Sequence, residues 1–476
     1  MFATIFKPDS FEPQNHFYEK ALNANRAPGA NLFMNMSISR IIERYVHLNP
    51  RVDKKRLTSL LKYKPTHFRW AGADLFNVTT DEGKRKMVLI ETNSCPSGQK
   101  SLPTSEDNEK GGYKQLIDNT IVHTLKEKEN ELPEGIYCVM YDKNYMEASG
   151  YAATLADSLD QEIFLVKFKN GDANTVKFDD GIMYINMEDG WIPVKAAFRY
   201  VTQKPWNRIP LHTKTLIFNP IVACLAGGRN KLVADMAYEF MNSELSDFDG
   251  LRIETPYTIR NVKLNEVPLW IKSFGGIGVV KNPYSNAGQG VWTITTPEEL
   301  NDFMKIKHEY DQFIVQALIG NYNWSSQTPH GKLFHVGTIP NRLNKIYVAD
   351  LRMMIHYDYT KGCFRPLAMY GRRSLSNLRE YLDGVPSWDM LGTNLSVKIG
   401  ENEWNSDTSR LLLMDQKDFS KLGIGVDDLI NGFIQTVLAV VAIDKMSNRL
   451  LSNGKFDWDL FKSINSDQEL LKEILE

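Results

Sequence analysis

Four cysteines are spread thinly over 476 residues, at Cys95, Cys138, Cys224 and Cys363, with no CxxC spacing between them. That scarcity excludes a disulfide scaffold or a zinc framework and fits a reduced, cytoplasmic protein. Net charge is equally scant, with 56 Lys and Arg against 58 Asp and Glu. So close a balance gives no support for a nucleic-acid or membrane-surface partner. The opening MFATIFKPDSFEPQNHF has no long apolar run, so neither a signal peptide nor a transmembrane helix is expected. Repeats and low-complexity segments are lacking too. What remains is a mixed α and β globular chain, long enough for two to four lobes.

Residues 1–36 read as an irregular arm, and 37–62 as helix broken near Pro50. Two strand-like runs, Gly72–Thr79 and Lys86–Asn93, flank the turn Asp81-Glu82-Gly83-Lys84. From about 135 to 220, apolar strands at Ile136–Tyr141, Glu162–Phe168, Phe178–Asn186, Ala196–Tyr200 and Thr215–Phe218 enclose a helix at Glu147–Leu159. That alternation argues for an open α/β sheet covered on both faces. A helix is expected at Asn230–Asn242, a long apolar helix at Val426–Ala442, and a surface helix over 452–476. The organisation expected is an arm (1–36), a hairpin-bearing portion (37–130), an α/β lobe (131–245), a glycine-loop lobe (246–325) and a C-terminal portion (326–476).

The richest stretch is Ile90-Glu91-Thr92-Asn93-Ser94-Cys95-Pro96-Ser97-Gly98-Gln99. On a strand, Glu91 and Asn93 share a face. A carboxylate and an amide oxygen are hard ligands, of the kind Mg²⁺ takes when it also holds phosphates. A turn centred between Glu82 and Gly83 sets Asp74 opposite Glu91, so that Asp74, Glu91 and Asn93 converge. Two carboxylates so placed repel unless a cation lies between them. The alternative is a solvated hairpin, or a register slip that turns Asp74 away.

Val279-Val280-Lys281 then leads into Asn282-Pro283-Tyr284-Ser285-Asn286-Ala287-Gly288-Gln289-Gly290. A lysine ending an apolar strand suits a phosphate, and Gly288 and Gly290 allow close backbone approach. The loop is neither GxxxxGK(S/T) nor GxGxxG. An ordinary glycine hairpin is the other reading. Gln316, Ala317 and Leu318 form either a hinge whose backbone reads an adenine edge or a plain core strand. Asp350 and Arg352 share a strand face. Arg352 suits a transferring phosphoryl group, with Arg372, Arg373 and Asn394 nearby, unless Asp350 and Arg352 are simply a surface pair. Arg199 is a candidate for a substrate carboxylate or else a surface strand residue; Trp206, Arg208 and His335 are further pocket candidates. Cys95 is expected only to pack.

Taken together, these motifs resemble the ATP-grasp superfamily of carboxylate–amine ligases. That family carries an Asp on one strand and Glu-x-Asn-x-x-Pro-Gly on the next. Asp74 and Glu91-Thr92-Asn93-Ser94-Cys95-Pro96-Ser97-Gly98 are similar, with one Ser inserted before the Gly. Here the run precedes Lys281, which is the order of the circularly permuted branch containing eukaryotic glutathione synthetase. Leu225-Ala226-Gly227-Gly228-Arg229-Asn230-Lys231 looks like that branch's Leu-Ala-Gly-x-Lys segment. Arg229 stands where its lysine falls, and Lys231 is preferred as the phosphate contact. That branch has a further metal-binding Glu in its glycine loop, whereas no acid lies between Lys281 and Gly290 here, so the resemblance to the unpermuted relatives is what assigns the third metal ligand to Asp74.

The resemblance implies a permuted ATP-grasp fold with an open α/β substrate-side domain, using ATP and Mg²⁺. It implies an acyl phosphate formed from an acid and captured by an amine, the partners being small molecules such as amino acids or short peptides, and many relatives are oligomers. Asp74, Glu91 and Asn93 would hold the metal. Lys231, Lys281, Gly288, Gln289, Gly290, Gln316, Ala317 and Leu318 would hold the nucleotide. Arg352 and Lys281 would serve the chemistry, and Arg199, Arg372 and Asn394 the substrate. A diverged kinase on the same fold and a non-catalytic ATP-binding regulator are the alternatives.

Overall fold

The structure is a computed structural model that describes residues 3–103, 109–169, 174–188, 190–202, 207–245, 249–285, 290–321, 323–382, 384–398 and 404–474. Three sheets organise it. The seven-stranded sheet runs in the order Ala3–Phe6, Ile163–Lys167, Ile136–Tyr141, Gly190–Tyr200, Ile182–Met187, Val176–Asp179, with Leu216–Phe218 beside Gly190–Tyr200. Its centre is parallel, which the apolar runs require: Cys138, Val139, Met140, Ala197 and Phe198 are buried under covering segments such as the helix Tyr145–Leu159.

Two expectations need correction here. The stretch 1–36 is not irregular. It adds the edge strand Ala3–Phe6, antiparallel to Ile163–Lys167, and helices at Pro13–His16, Glu19–Leu22 and Pro28–Asn35. Phe17 and Phe33 anchor it, edge-on against Tyr113 and Phe433. Its elements are too short to show a period. The run 178–186 is two strands, because Asp180 and Gly181 both take positive φ and close a two-residue hairpin between Asp179 and Ile182.

The second sheet is antiparallel: Arg85–Asn93, Trp70–Thr80, Ala349–Asp358, Cys363–Arg373 and Leu411–Leu412, with Leu333–His335 beside the end of Trp70–Thr80. The helix Val426–Leu450 underlies it; a Cβ on Gly432 would stand 3.0 Å from Leu75. By length and composition this helix is apolar enough to cross a membrane, but most of it is core. Buried Asp444 on the helix accepts from the backbone N–H groups of Thr66, His67 and Phe68, which fixes the entry to the hairpin.

The third sheet has four strands, Thr258–Lys263, Gln312–Gln316, Gly278–Lys281 and Val291–Ile294, with its own core of Val262, Val280, Phe303, Phe313 and Val315. The tail departs from a single surface helix. Trp458–Ile464 and Gln468–Lys472 bury Phe461, Leu470 and Leu471, and Asp467 accepts from the N–H groups of Asp311 and Gln312. Those buried side chains make it part of the fold.

Candidate functional site

The hairpin reaches the expected pairing by an unexpected route. From Thr79↔Arg85 to Leu75↔Leu89 the register is one residue off that expected from the turn. A bulge at Ile90 then restores it, giving Asp74↔Glu91, Ala73↔Thr92 and Gly72↔Asn93. Without the bulge Glu91 and Asn93 would fall on the opposite face. Beyond the strand, Glu147 accepts from Ser97 Oγ at 2.7 Å, Gly98 N at 2.8 Å and Gln99 N at 3.0 Å, holding the turn. Sequence reading missed Glu147; its signal was the one acid within the run 147–156 of small and apolar residues that the helix buries.

The glycine segment is pinned to this strand. Ser94 N donates to Gly228 O at 2.9 Å and Thr92 Oγ1 to Gly227 O at 3.2 Å. A Cβ on Gly228 would lie 2.5 Å from Ser94 Cβ, so the contact needs glycine. Arg229 then donates to Asn93 Oδ1 at 3.1 Å, and Asn230 caps the helix Lys231–Glu244. Lys231 Nζ donates to Ser285 O and Oγ at 3.0 and 3.1 Å and lies 3.8 Å from Glu91. Both Arg229 and Lys231 line the cavity.

Lys281 Nζ donates to Gln316 Oε1 at 2.6 Å, and Gln316 Nε2 to Thr258 Oγ1 at 2.9 Å. Burial pushes Lys281 down to about 8 and also lowers Lys231, while the Glu91 charge opposes both shifts. Gly290 takes φ +65° and its carbonyl accepts from Asn282 N at 2.7 Å, closing the loop. Gly288 and Gln289 lie outside the described residues. The hinge expectation is corrected in part. Ala317 and Leu318 line the cavity, but their N–H groups already donate to Tyr257 O and Ser326 Oγ, both at 2.8 Å.

Across the sheet stands a ladder of buried charge. Arg352 and Asp74 oppose one another on neighbouring strands and pair through two bonds of 2.6 and 2.7 Å. Arg372, opposite Asp350, bonds that carboxylate through both Nε and Nη2 and reaches Asp74 at 2.8 Å. Thr393 Oγ1 donates to Asp350 at 2.8 Å. Asp350 therefore partners Arg372 and not Arg352. Burial would raise the Asp74 carboxyl, but Arg352 and Arg372 outweigh it and hold it well below the usual range; at Asp350 burial wins and the shift is upward.

This ladder bears on the metal assignment. Both Asp74 oxygens accept from guanidinium groups, so Asp74 does not fit as a ligand. Among the described residues, no cluster of three or more His, Cys, Asp or Glu is placed to hold a metal ion. Glu91 and Asn93 both face the cavity. Asn93 Oδ1, however, already accepts from Arg229 at 3.1 Å, so an ion here would rest on the Glu91 carboxylate and complete its shell with phosphate and water.

Glu91, Asn93, Arg229, Lys231, Lys281 and the Asp74–Arg352–Arg372–Asp350 ladder line one cavity of about 950 Å³. Eight cationic side chains among its described lining residues outnumber five carboxylates, so it favours an anion. Asn394 and Arg372 line it. Arg199 does not: fully buried, it donates to the carbonyls of Asn219 and Val201 at 2.7 and 2.8 Å. It is a structural residue at the end of a central strand. His335 packs on Phe76 with ring centroids 4.3 Å apart, Arg208 pairs with Asp142, and Trp206 lies outside the described residues. Cys95 Sγ donates to Arg199 O, and burial pushes its thiol up to about 12, so it packs and does not react.

No family model matches the chain, and no curated protein matches it. Solved structures similar to it in part include the following two. One is a glutathione synthetase-like effector from Globodera pallida, with TM-score 0.38, 9% identity, 71% of this chain and 82% of that one covered. The other is a RimK domain protein ATP-grasp from Sphaerobacter thermophilus, with TM-score 0.30, 12% identity, 49% of this chain and 90% of that one covered.

Proposed function

We propose that this chain is an ATP-dependent carboxylate–amine ligase of the permuted ATP-grasp type, working through an acyl phosphate. The observation that carries the reading is a convergence. Glu91 and Asn93, Arg229 and Lys231, Lys281, and Arg352 come from four separated parts of the chain and line one cavity. A non-catalytic binder has no need of that full set.

In this reading Lys231 and Lys281 hold the nucleotide phosphates. Glu91, with Asn93 beside it, would hold Mg²⁺, which would supply charge neutralisation for phosphoryl transfer. A carboxylate oxygen of the acid attacks the γ-phosphorus, the bond to the β-phosphate oxygen breaks, and ADP leaves. The amine then attacks the acyl carbon, phosphate departs, and the nitrogen loses a proton to give the amide. Arg352 faces the developing phosphoryl charge, and Asp74, Arg372 and Asp350 hold Arg352 in place. Catalysis here is mostly positioning and charge neutralisation. The four buried free thiols support a cytoplasmic location.

The test is ADP release over paired panels of acids and amines, followed by ¹⁸O-labelled acid. An acyl phosphate passes one labelled oxygen into the released phosphate, and Glu91→Ala abolishes turnover. Release of ADP with an acid alone, phosphorylating it stably, would make the chain a kinase. Mg²⁺-dependent ATP binding without turnover would make it a regulator, and no ATP binding at all refutes the reading.

A further inference from the structure

A second end of the cavity is built from the seven-stranded sheet. Three adjacent parallel strands stop there: Ile136–Tyr141, Ile163–Lys167 and Gly190–Tyr200. Residues just past their carboxyl ends form the wall: Asp142 and Lys143 after the first, Lys169 after the second, Thr202 after the third. Open α/β sheets bind ligands at this edge, where the turns diverge and leave a crevice. Lys100 comes to the same wall from the turn after the hairpin, and Arg229 from the glycine segment.

The carboxylates at this end are already engaged. Asp142 accepts from Thr202 N at 2.8 Å and Thr202 Oγ1 at 3.1 Å, and it pairs with Arg208 at 3.1 Å. Glu147 holds the turn and faces Lys100 at 3.8 Å. Lys143 has no hydrogen bond or ion pair to any described residue. Burial lowers it to about 8, and the charges of Arg229, Lys100 and Arg352, which line the same cavity, lower it further against the opposing pull of Asp142. A half-buried ammonium without a counter-ion is costly unless a ligand supplies one.

We propose that this end of the cavity seats a second anionic group of the acid substrate, a carboxylate or a phosphate ester distinct from the carboxylate that is activated, on Lys143 together with Arg229 and Lys100. The role of that acid rests on the ligase reading, but the anion site has its own binding test. Lys143 thus selects dianionic acids over monoanionic ones of similar length.

The test titrates the full chain with glutarate, 3-phosphonopropionate and butyrate by calorimetry. In parallel, an amine-acylating ester labels Lys143 at pH 8, read by peptide mass spectrometry. A dianion is expected to bind about tenfold or more tighter than butyrate and to protect Lys143 from labelling. Whether glutarate or the phosphonate wins identifies the group. Lys143→Met removes that preference while leaving ATP–Mg²⁺ binding unchanged, which also reports that the variant is folded. Lys143→Arg retains it. Equal binding of butyrate and both dianions, no protection of Lys143, or a dianion preference that survives Lys143→Met overturns the proposal. Absence of ATP binding in the wild type refutes the ligase reading instead, and the anion result stands apart from it.

Discussion

Replacing Asp74 with Asn separates two accounts of the same carboxylate. As a metal ligand facing Glu91, Asp74 would repel its neighbour whenever no cation is bound, and Asp74→Asn would leave the metal-free protein as stable or more so. The structure gives the opposite sign. Asp74 is buried between Arg352 and Arg372, with side-chain exposures of 6%, 11% and 8%. Removing one member of a buried ion pair strands the other, at a cost of about 3–5 kcal/mol. Asn keeps one acceptor for Arg352, which places the loss near the lower value, about 3 kcal/mol. In a cooperative unit of about 150–250 residues each kcal/mol moves Tm by about 2–4 °C, so the drop is about 6–12 °C. The assay is calorimetry at pH 7 with EDTA and no nucleotide. The pH dependence gives a second check. Asp74 is held below its unfolded value, so its contribution is complete above about pH 4 and fades as pH falls below that. The gap between wild type and Asp74→Asn therefore narrows on acidification. A metal-free Tm equal to or above wild type refutes the charge ladder as the reason Asp74 is there.

Three other outcomes follow from the geometry. Only the ammonium form of Lys281 holds a phosphate, and burial sets its titration near 8, so ATP–Mg²⁺ affinity falls as pH rises through 8, approaching about tenfold per unit above it. Calorimetric titration from pH 7 to 9.5 checks this, and a dependence that persists unchanged in Lys281→Met counts against it. Arg199→Met strips the Asn219 and Val201 carbonyls of their buried donor, so it lowers Tm by several degrees yet leaves ATP affinity in the folded fraction unaltered; selective loss of substrate binding at unchanged Tm would restore Arg199 to the site. Gly228→Ala puts a Cβ 2.5 Å from Ser94 Cβ and 2.7 Å from the Ala223 carbonyl, costing about 1–3 kcal/mol and weakening ATP binding by displacing Lys231. A Tm and affinity matching wild type would show that the segment has room to move.

What the sequence disclosed was local. The turn Asp81-Glu82-Gly83-Lys84 brings Asp74 to Glu91, and strand alternation puts Glu91 and Asn93 on one face; both follow from a few neighbouring residues. Even there the agreement conceals a difference, because the pairing near the turn is shifted by one residue and the bulge at Ile90 shifts it back. Nothing in Val88-Leu89-Ile90 marks a bulge, since each residue is an ordinary strand former. What stayed hidden depends on the relative height of strands far apart in the chain. Arg352 has Asp350 two residues away, yet it pairs with Asp74 because the strands Trp70–Thr80 and Ala349–Asp358 lie in that register. Arg199 and Glu147 were hidden for a related reason. Each sits where a covered element ends, and a polar residue there serves either the backbone or a ligand, depending on which carbonyls and N–H groups the rest of the fold brings near. Val201 and Asn219 claim Arg199, and the Ser97–Gln99 turn claims Glu147. Lys143 sits just past a strand end as well, but among the described residues neither backbone nor carboxylate bonds it. That contrast, which only the assembled sheets reveal, distinguishes a charge kept for the fold from a charge held ready for a ligand.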